Sequence, residues 1–565
     1  MRTYRRPLTI LLLLQLIAAV ATLLLPNLNG RIVDEGIART DVDAIYSIGA
    51  IMLALAAVNL CASVGATIIG SFISTSIGRD IRNSTFARVQ RFSDTDLRTF
   101  GIPSLITRST NDINQLQMFV FVATTILATA PVLVVGGTVM ALGENIRLAP
   151  IIIVVAVALT AVVTIIVRKL IPSYARLQSL VDRVGQVLRE QLTGIKVIRA
   201  FGREDLEATR FDAANTALTA TAHRIGALSA VLLPSIILIA NLGAAAVIAA
   251  GAVLVDNGSM EVGGIIAFVG YLTQILIGLS IVAAMVALVP RAQISAQRVQ
   301  DVLSTVPSVQ DPEACRTPST RTGQVEFVKV GFRYPAARDA VLADIDLTCR
   351  PGTLTAILGG TGDGKSTLLN LIPRFCDATS GQVLVDGVDV RDRSRTDLYR
   401  DISYVAQAPT LLSGTLESNL RLGRPDATDD ELRAALEVVS AVDFVFAHEK
   451  GLDQLVQPGG SNFSGGQRQR LALAQAIVPG PRLLLLDDPF AALDPETENR
   501  IKHRLRRALP ETVIILTAQR VSSTAGADTI IVLAGGRVDA RGTHDELAQS
   551  STTYREILES QAALR

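Results

Sequence analysis

The sequence predicts an all-α membrane domain of six transmembrane helices joined to a cytosolic α/β domain of the P-loop type. Three observations predict it. Six apolar segments, each near the ~20 residues that a helix needs to span a bilayer, fill the first half of the chain. The run Gly359-Gly360-Thr361-Gly362-Asp363-Gly364-Lys365-Ser366-Thr367 stands between an apolar, strand-like stretch at 354–358 and an apolar helix start at 368–372. Composition shifts between these parts: the apolar excess lies before residue 290, and the remainder has a soluble composition.

Whole-chain properties bound the function. The 565 residues allow several domains at a prior of ~150 residues each. A net charge of +1 argues against a general nucleic-acid binder. A mean hydropathy of +0.39 with 19% charged residues is too apolar for a soluble protein of this size. Tryptophan is absent, so an interfacial aromatic belt has to use Tyr or Phe. Cys61, Cys315, Cys349 and Cys376 show no metal-ligand spacing, and free thiols are expected.

The apolar segments cover 8–25, 45–73, 119–142, 148–167, 227–255 and 263–289. The first is too long for a cleaved signal peptide and continues without a small-residue cleavage site. Arg2, Arg5 and Arg6 precede it as a basic anchor. The links after the second and fourth segments are long and rich in Arg, whereas 143–147 holds a single Arg and 256–262 has no positive residue. The positive-inside rule then puts both termini and the two long links in the cytoplasm, in a multi-pass protein of the plasma (inner) membrane. Leu177, Leu180, Val184, Val187, Leu188 and Gln191 recur at helical spacing, so membrane helices extend into the cytoplasm. Within the links, 103–112 and 200–205 read as turns where long helices reverse. They are either contacts to a cytoplasmic motor or solvated loop tips. Gln15, Asn59, Asn241 and Gln274 interrupt apolar segments and either line a pathway or join helix to helix. Pro131 and Pro234 are expected to mark kinks.

Residues 307–322 are rich in Pro, Ser, Thr and charge and are expected to link a membrane domain, 1–306, to a nucleotide domain, 323–565. Residues 325–334 alternate as a strand. Tyr334 at its end is placed to stack on an adenine ring, or is a half-buried strand tyrosine. In the loop, Gly359, Gly362 and Gly364 let successive N–H groups turn toward one anion, and the following helix adds its positive end. Lys365 reaches the outer phosphates as a compact charge, and the Ser366 hydroxyl ligates Mg²⁺. Asp363 is the odd member, because a carboxylate beside a triphosphate is repulsive unless it points to solvent.

Further on, Gln407 follows a strand-like stretch, with an amide suited to bind Mg²⁺ or water and sense the γ-phosphate. Asn462-Phe463-Ser464-Gly465-Gly466-Gln467 opens a helix and offers a second anion site. Two such sites far apart in one chain imply two copies sandwiching two nucleotides. The apolar run 483–486 ends in Asp487, placed to hold Mg²⁺ through water, and Asp488, where a general base is expected. A turn at Leu493-Asp494 follows, and the strand 513–516 leads to Gln519.

Taken in that order, these motifs resemble the Walker A, Q-loop, signature, Walker B and D-loop of an ABC transporter half-transporter of the exporter type. The resemblance covers the whole chain and includes Gly542-Thr543-His544-Asp545-Glu546-Leu547. It implies an ABC ATPase domain that uses ATP and Mg²⁺ to drive transport. It also makes 103–112 and 200–205 similar to coupling helices, the second of which docks on a partner's motor domain. Two positions depart from the family. The hydrolytic Glu is Asp488, one methylene shorter, and a misplacement of roughly an ångström costs on the order of a hundredfold in rate. The switch His is Gln519, which has no pKa near neutrality. Either the site works slowly, or the chain is one half of a heterodimeric exporter. In that second reading its own site binds ATP and hydrolyses it poorly, and its signature serves a partner carrying Glu and His. The expected cargo is an amphipathic drug or lipid. Import of a fatty acid or siderophore, and a purely regulatory subunit, are the rivals. The six segments weigh against a soluble ABC protein of repair or translation.

Overall fold

A computed structural model describes residues 4–335 and 337–562, so Arg2 lies outside the described residues. The chain divides into two compact units. One comprises the residues up to Gln90 with Pro103–Thr305; the other comprises Arg91–Ile102 and the chain from Val306 onward.

The first unit is helical. Its helices are α1 (Arg5–Arg31) and α2 (Val42–Val89), then α4 (Ile102–Thr107), α5 (Ile113–Thr125) and α6 (Ala130–Glu144), then α7 (Ala149–Ala200), α8 (Glu204–Asp256) and α9 (Val262–Ser304); α3 (Asp94–Phe100) belongs to the second unit. Six stretches are long and apolar enough to cross a membrane. At 1.5 Å per residue the 52 residues of α7 reach about 80 Å, well beyond the ~30 Å of a bilayer core. At the start of α9, the backbones of α1 and α9 meet where a Cβ on Gly263 would lie 2.0 Å from the Gly30 carbonyl oxygen, an approach only glycine permits.

Two intramembrane polar residues act as helix-to-helix joints. Gln15 donates to the Thr124 carbonyl at 2.5 Å, and Asn59 donates to the Ala18 carbonyl at 2.8 Å and the Thr22 hydroxyl at 2.6 Å. Asn241 is exposed and Gln274 half-buried. Pro131 sits in the first turn of α6, just after a 3₁₀ turn at Leu127–Thr129 that interrupts the third span. Pro234, in contrast, is carried inside the continuous helix α8.

The 103–112 stretch is not a turn. Ile102–Thr107 is helical and Arg108–Asp112 is a π-helical bulge leading into α5. Pro103 occupies a helix start, where its missing N–H costs nothing; Asp112 turns inward, 2% exposed and accepting from the Ser295 hydroxyl at 2.9 Å, while Thr107, Thr110 and Asn111 stay exposed. The chain reverses earlier, around α3. The other expected reversal is present, at Phe201–Arg203 between α7 and α8, with Gly202 at φ 58°.

In the second unit an irregular stretch that includes 307–322 precedes the strands. Its strands are β1 (Val325–Phe332), β2 (Leu342–Cys349), β3 (Leu354–Gly359), β4 (Ser380–Val385), β5 (Val388–Asp389), β6 (Ile402–Val405), β7 (Gly414–Thr415), β8 (Leu455–Val456), β9 (Leu483–Asp487), β10 (Val513–Ala518), β11 (Thr529–Ala534) and β12 (Arg537–Gly542). A six-stranded sheet has the order β12-β11-β3-β10-β9-β6, and a four-stranded sheet the order β2-β1-β4-β5. Strands β3, β9 and β10 are buried at every position, as expected of parallel strands covered on both faces. Their carboxyl ends carry the phosphate loop, the acid pair and Gln519, where open α/β sheets bind ligands.

Candidate functional site: a P-loop cavity with a paired acid and amide

Strand β3 delivers the chain into the glycine loop, and α10 (Lys365–Leu371) leaves it. Gly362 and Gly364 have φ of 96° and 94°, and a Cβ on Gly364 would lie 2.8 Å from Leu342. Both positions therefore demand glycine. The Lys365 ammonium curls back over the loop, donating to the Gly359 and Gly360 carbonyls at 3.0 and 2.6 Å. Burial lowers its pKa, with Asp363 opposing that shift.

Asp363 is half-buried and held by the backbone. Its Oδ2 accepts from the Gly360 N–H at 2.5 Å and its Oδ1 from the Gly535 N–H at 3.2 Å, bracing the loop against the β11–β12 turn. Two backbone donors satisfy the carboxylate, which removes the reason for it to seek water.

Strands β9 and β10 set the side where Mg²⁺ is expected. The Ser366 hydroxyl donates to Asp487 Oδ1 at 2.9 Å, so the two groups expected at Mg²⁺ already face each other. Mg²⁺ in such sites takes few protein ligands and keeps waters and phosphate oxygens, so this sparse donor set fits it. Asp488 has φ 47°, rare for a residue with a side chain and a mark of stored strain. Burial raises its pKa, helped by the neighbouring Asp487. Gln519 donates from Nε2 to Asp488 Oδ2 at 3.2 Å, while its Oε1 lies 3.5 Å from the Thr361 hydroxyl. Asp488, where a base is expected, is thus tied to an amide that cannot exchange a proton at neutral pH.

A cavity of about 330 Å³ joins these groups. It is lined by Tyr334, Thr361, Gly362, Gly364, Lys365, Ser366, Thr367, Gln407, Asp487, Asp488 and Gln519, together with Val341 and Thr517. Tyr334 shares a hydrogen bond with Thr367 at 3.2 Å. Gly359, Gly360 and Asp363 support the loop from behind and do not line the cavity. Ser464, Gly465, Gly466 and Gln467 are also outside it. They open the helix Gly465–Ile477 through a capping box, Gln467 N–H to Ser464 Oγ at 3.3 Å and Ser464 N–H to Gln467 Oε1 at 2.9 Å. That helix is locked to the acid pair by Gln469, which donates to the Asp488 carbonyl at 3.1 Å.

Thr517 and Tyr404 were given no role by the sequence. The Thr517 hydroxyl is fully buried, donates to Asp487 Oδ1 at 2.7 Å and accepts from the strained Asp488 N–H at 2.9 Å. A hydroxyl in an otherwise apolar buried strand was the available signal. Tyr404 donates to Asp487 Oδ2 at 3.4 Å, and its own pKa is raised by burial and by Asp487. Thr517→Val keeps the shape and removes both bonds, at a cost of about 1–3 kcal/mol. It is expected to raise the Mg²⁺ concentration needed for nucleotide binding about threefold to tenfold in a Mg²⁺ titration, with Thr517→Ser restoring the lower value.

A phosphate-loop cavity of this kind, in a chain with six spanning helices, is that of a nucleotide-driven membrane transporter. The chain belongs to the ABC transporter family. Residues 8–279 match the family described as ABC transporter transmembrane region and residues 342–491 the family described as ABC transporter. An uncharacterised ABC transporter ATP-binding protein of Mycobacterium tuberculosis is 41% identical over 99% of this chain and 97% of its own. A multidrug efflux ATP-binding/permease protein of the same organism is 32% identical over 96% of this chain, which spans 45% of that relative. A solved structure of a bacterial Atm1-family ABC exporter with ATP bound superposes with a TM-score of 0.83 at 25% identity, covering 99% of this chain and 98% of that one.

Proposed function

We propose that this chain is one half of a heterodimeric ABC exporter of amphipathic drugs or lipids, and that its own ATP site binds nucleotide firmly but hydrolyses it poorly. The observation that carries this reading is the Asp488–Gln519 bond at 3.2 Å, a short acid and a non-titrating amide paired at the position where water has to be activated. Lys365, the loop N–H groups and Tyr334 hold ATP. Ser366, Asp487 and Gln407 hold Mg²⁺, which supplies charge neutralisation at the phosphates. Ser464 and Gln467 cap the helix start with each other, which leaves the Gly465 and Gly466 N–H groups to complete the site of a second half-transporter that carries Glu and His at the matching positions.

Several features support transport in this form. The multidrug efflux relative is long enough to hold a second half beside the matched one. Phe201, 76% exposed at the turn between α7 and α8, is an aromatic tip suited to a docking groove. A groove of about 620 Å³ in the nucleotide unit, with Tyr399, Tyr404 and Arg424 in its lining, is suited to receive such a tip from a partner. Both termini and the motor lie in the cytoplasm of a plasma (inner) membrane protein.

The test is ATP turnover of this chain purified alone and with a candidate partner. Turnover is expected to be slow alone and to rise at least about tenfold with the partner. Rapid turnover alone, unchanged by any partner, would contradict the reading.

A further inference from the structure

Helix α3 lies in the segment that leaves the membrane unit after Gln90 and returns to it at Pro103, yet it packs within the nucleotide unit. It is firmly seated there. Ser93 closes a capping box with Asp96, Phe92 and Phe100 stack at 5.5 Å, and Asp96 Oδ2 accepts from the Ser308 N–H at 3.0 Å. From this helix Arg98 puts its guanidinium 5.7 Å from the Tyr334 ring centroid. Asp94 holds the guanidinium in place at 2.7 Å and keeps its pKa raised.

Tyr334 lines the nucleotide cavity, whereas Arg98 is not among its lining residues. The ring is fixed at its edge by Phe332, 4.8 Å away at 88°, and at its hydroxyl by Thr367. The ring is thus held in place at the cavity wall, with a cation over it that does not itself line the cavity. A cation–π contact strengthens as the ring is desolvated and held still, which a stacked base does.

We propose that Arg98 is a positioning residue that reports base occupancy: a purine stacked on Tyr334 tightens the Arg98 contact and, with it, residues 91–102 against the nucleotide unit. By linkage, a seated α3 raises affinity for the purine nucleotide by the same factor. The proposal rests on the reading of the cavity as an ATP site. It adds a sensor for the base, distinct from any sensing of the γ-phosphate, on the chain segment that joins two membrane helices.

The test uses the full chain in lipid nanodiscs, with ATP and tripolyphosphate as probes. Arg98→Ala is expected to weaken ATP binding about twofold to fivefold and to leave tripolyphosphate binding unchanged. Amide exchange in 91–102 is expected to slow with ATP but not with tripolyphosphate, and this slowing disappears in the variant. Arg98 is exposed, so the variant keeps its fold. Equal losses for both probes, no loss for either, or an exchange response that tripolyphosphate reproduces would overturn the proposal. Lys365→Ala separates the two layers. If it leaves ATP binding intact, the ATP-site reading fails and the sensor with it. If it abolishes binding while Arg98→Ala shows no base-dependent loss, the sensor alone fails.

Discussion

Gly465→Asp is expected to lower ATP turnover of the assembled transporter on the order of a hundredfold while leaving ATP binding at this chain's own cavity unchanged. The reason lies at the start of the helix Gly465–Ile477. Its capping box pairs the Ser464 hydroxyl with the Gln467 N–H and the Gln467 amide oxygen with the Ser464 N–H, so the Gly465 and Gly466 N–H groups are left to face an anion from outside. A carboxylate placed there meets a phosphate with the wrong charge. The variant has room to fold, because a Cβ at Gly465 has its nearest contact, Ala492, at 3.8 Å, and an acid in a first helical turn stabilises the helix. Parallel measurement of nucleotide binding and steady-state hydrolysis separates the outcomes. Turnover that survives, or binding that is lost at the Lys365 cavity, would place the signature in some other role.

A second large effect concerns the two bases. General-base catalysis contributes about 10²–10⁴ in rate, so neutralising a working base removes on that order. Asp488 is poorly set for this work. Its backbone is held at φ 47°, and its carboxylate receives the Gln519 amide. Asp488→Asn is therefore expected to change assembly turnover by no more than about twofold, whereas neutralising the partner's base removes most of it.

Much of this was legible in the sequence. The six spans follow from length and hydropathy, which are local properties, and the parallel strands β3 and β9 announce themselves as unbroken apolar runs before a glycine loop and an acid pair. The features that were not legible depend on contacts between distant residues. Asp363 read as a repelled carboxylate because the orphan N–H of Gly535, 172 residues away, was not visible. The polar run at 103–112 read as a turn because Ser295, which donates to one oxygen of the buried Asp112, lies 183 residues on. Arg98 counted only as one more cytoplasmic charge until α3 was found beside Tyr334. Thr517 stood in plain sight, but its two bonds need β9 and β10 in register, Thr517 beside Asp487.

The most direct test of the account is steady-state ATP hydrolysis by the two-subunit assembly, with the candidate base neutralised in one chain at a time. The account predicts near-full turnover with Asp488→Asn and turnover lowered by about 10²–10⁴ when the partner's base is neutralised. Full turnover after loss of the partner's base, or collapse with Asp488→Asn, would contradict it.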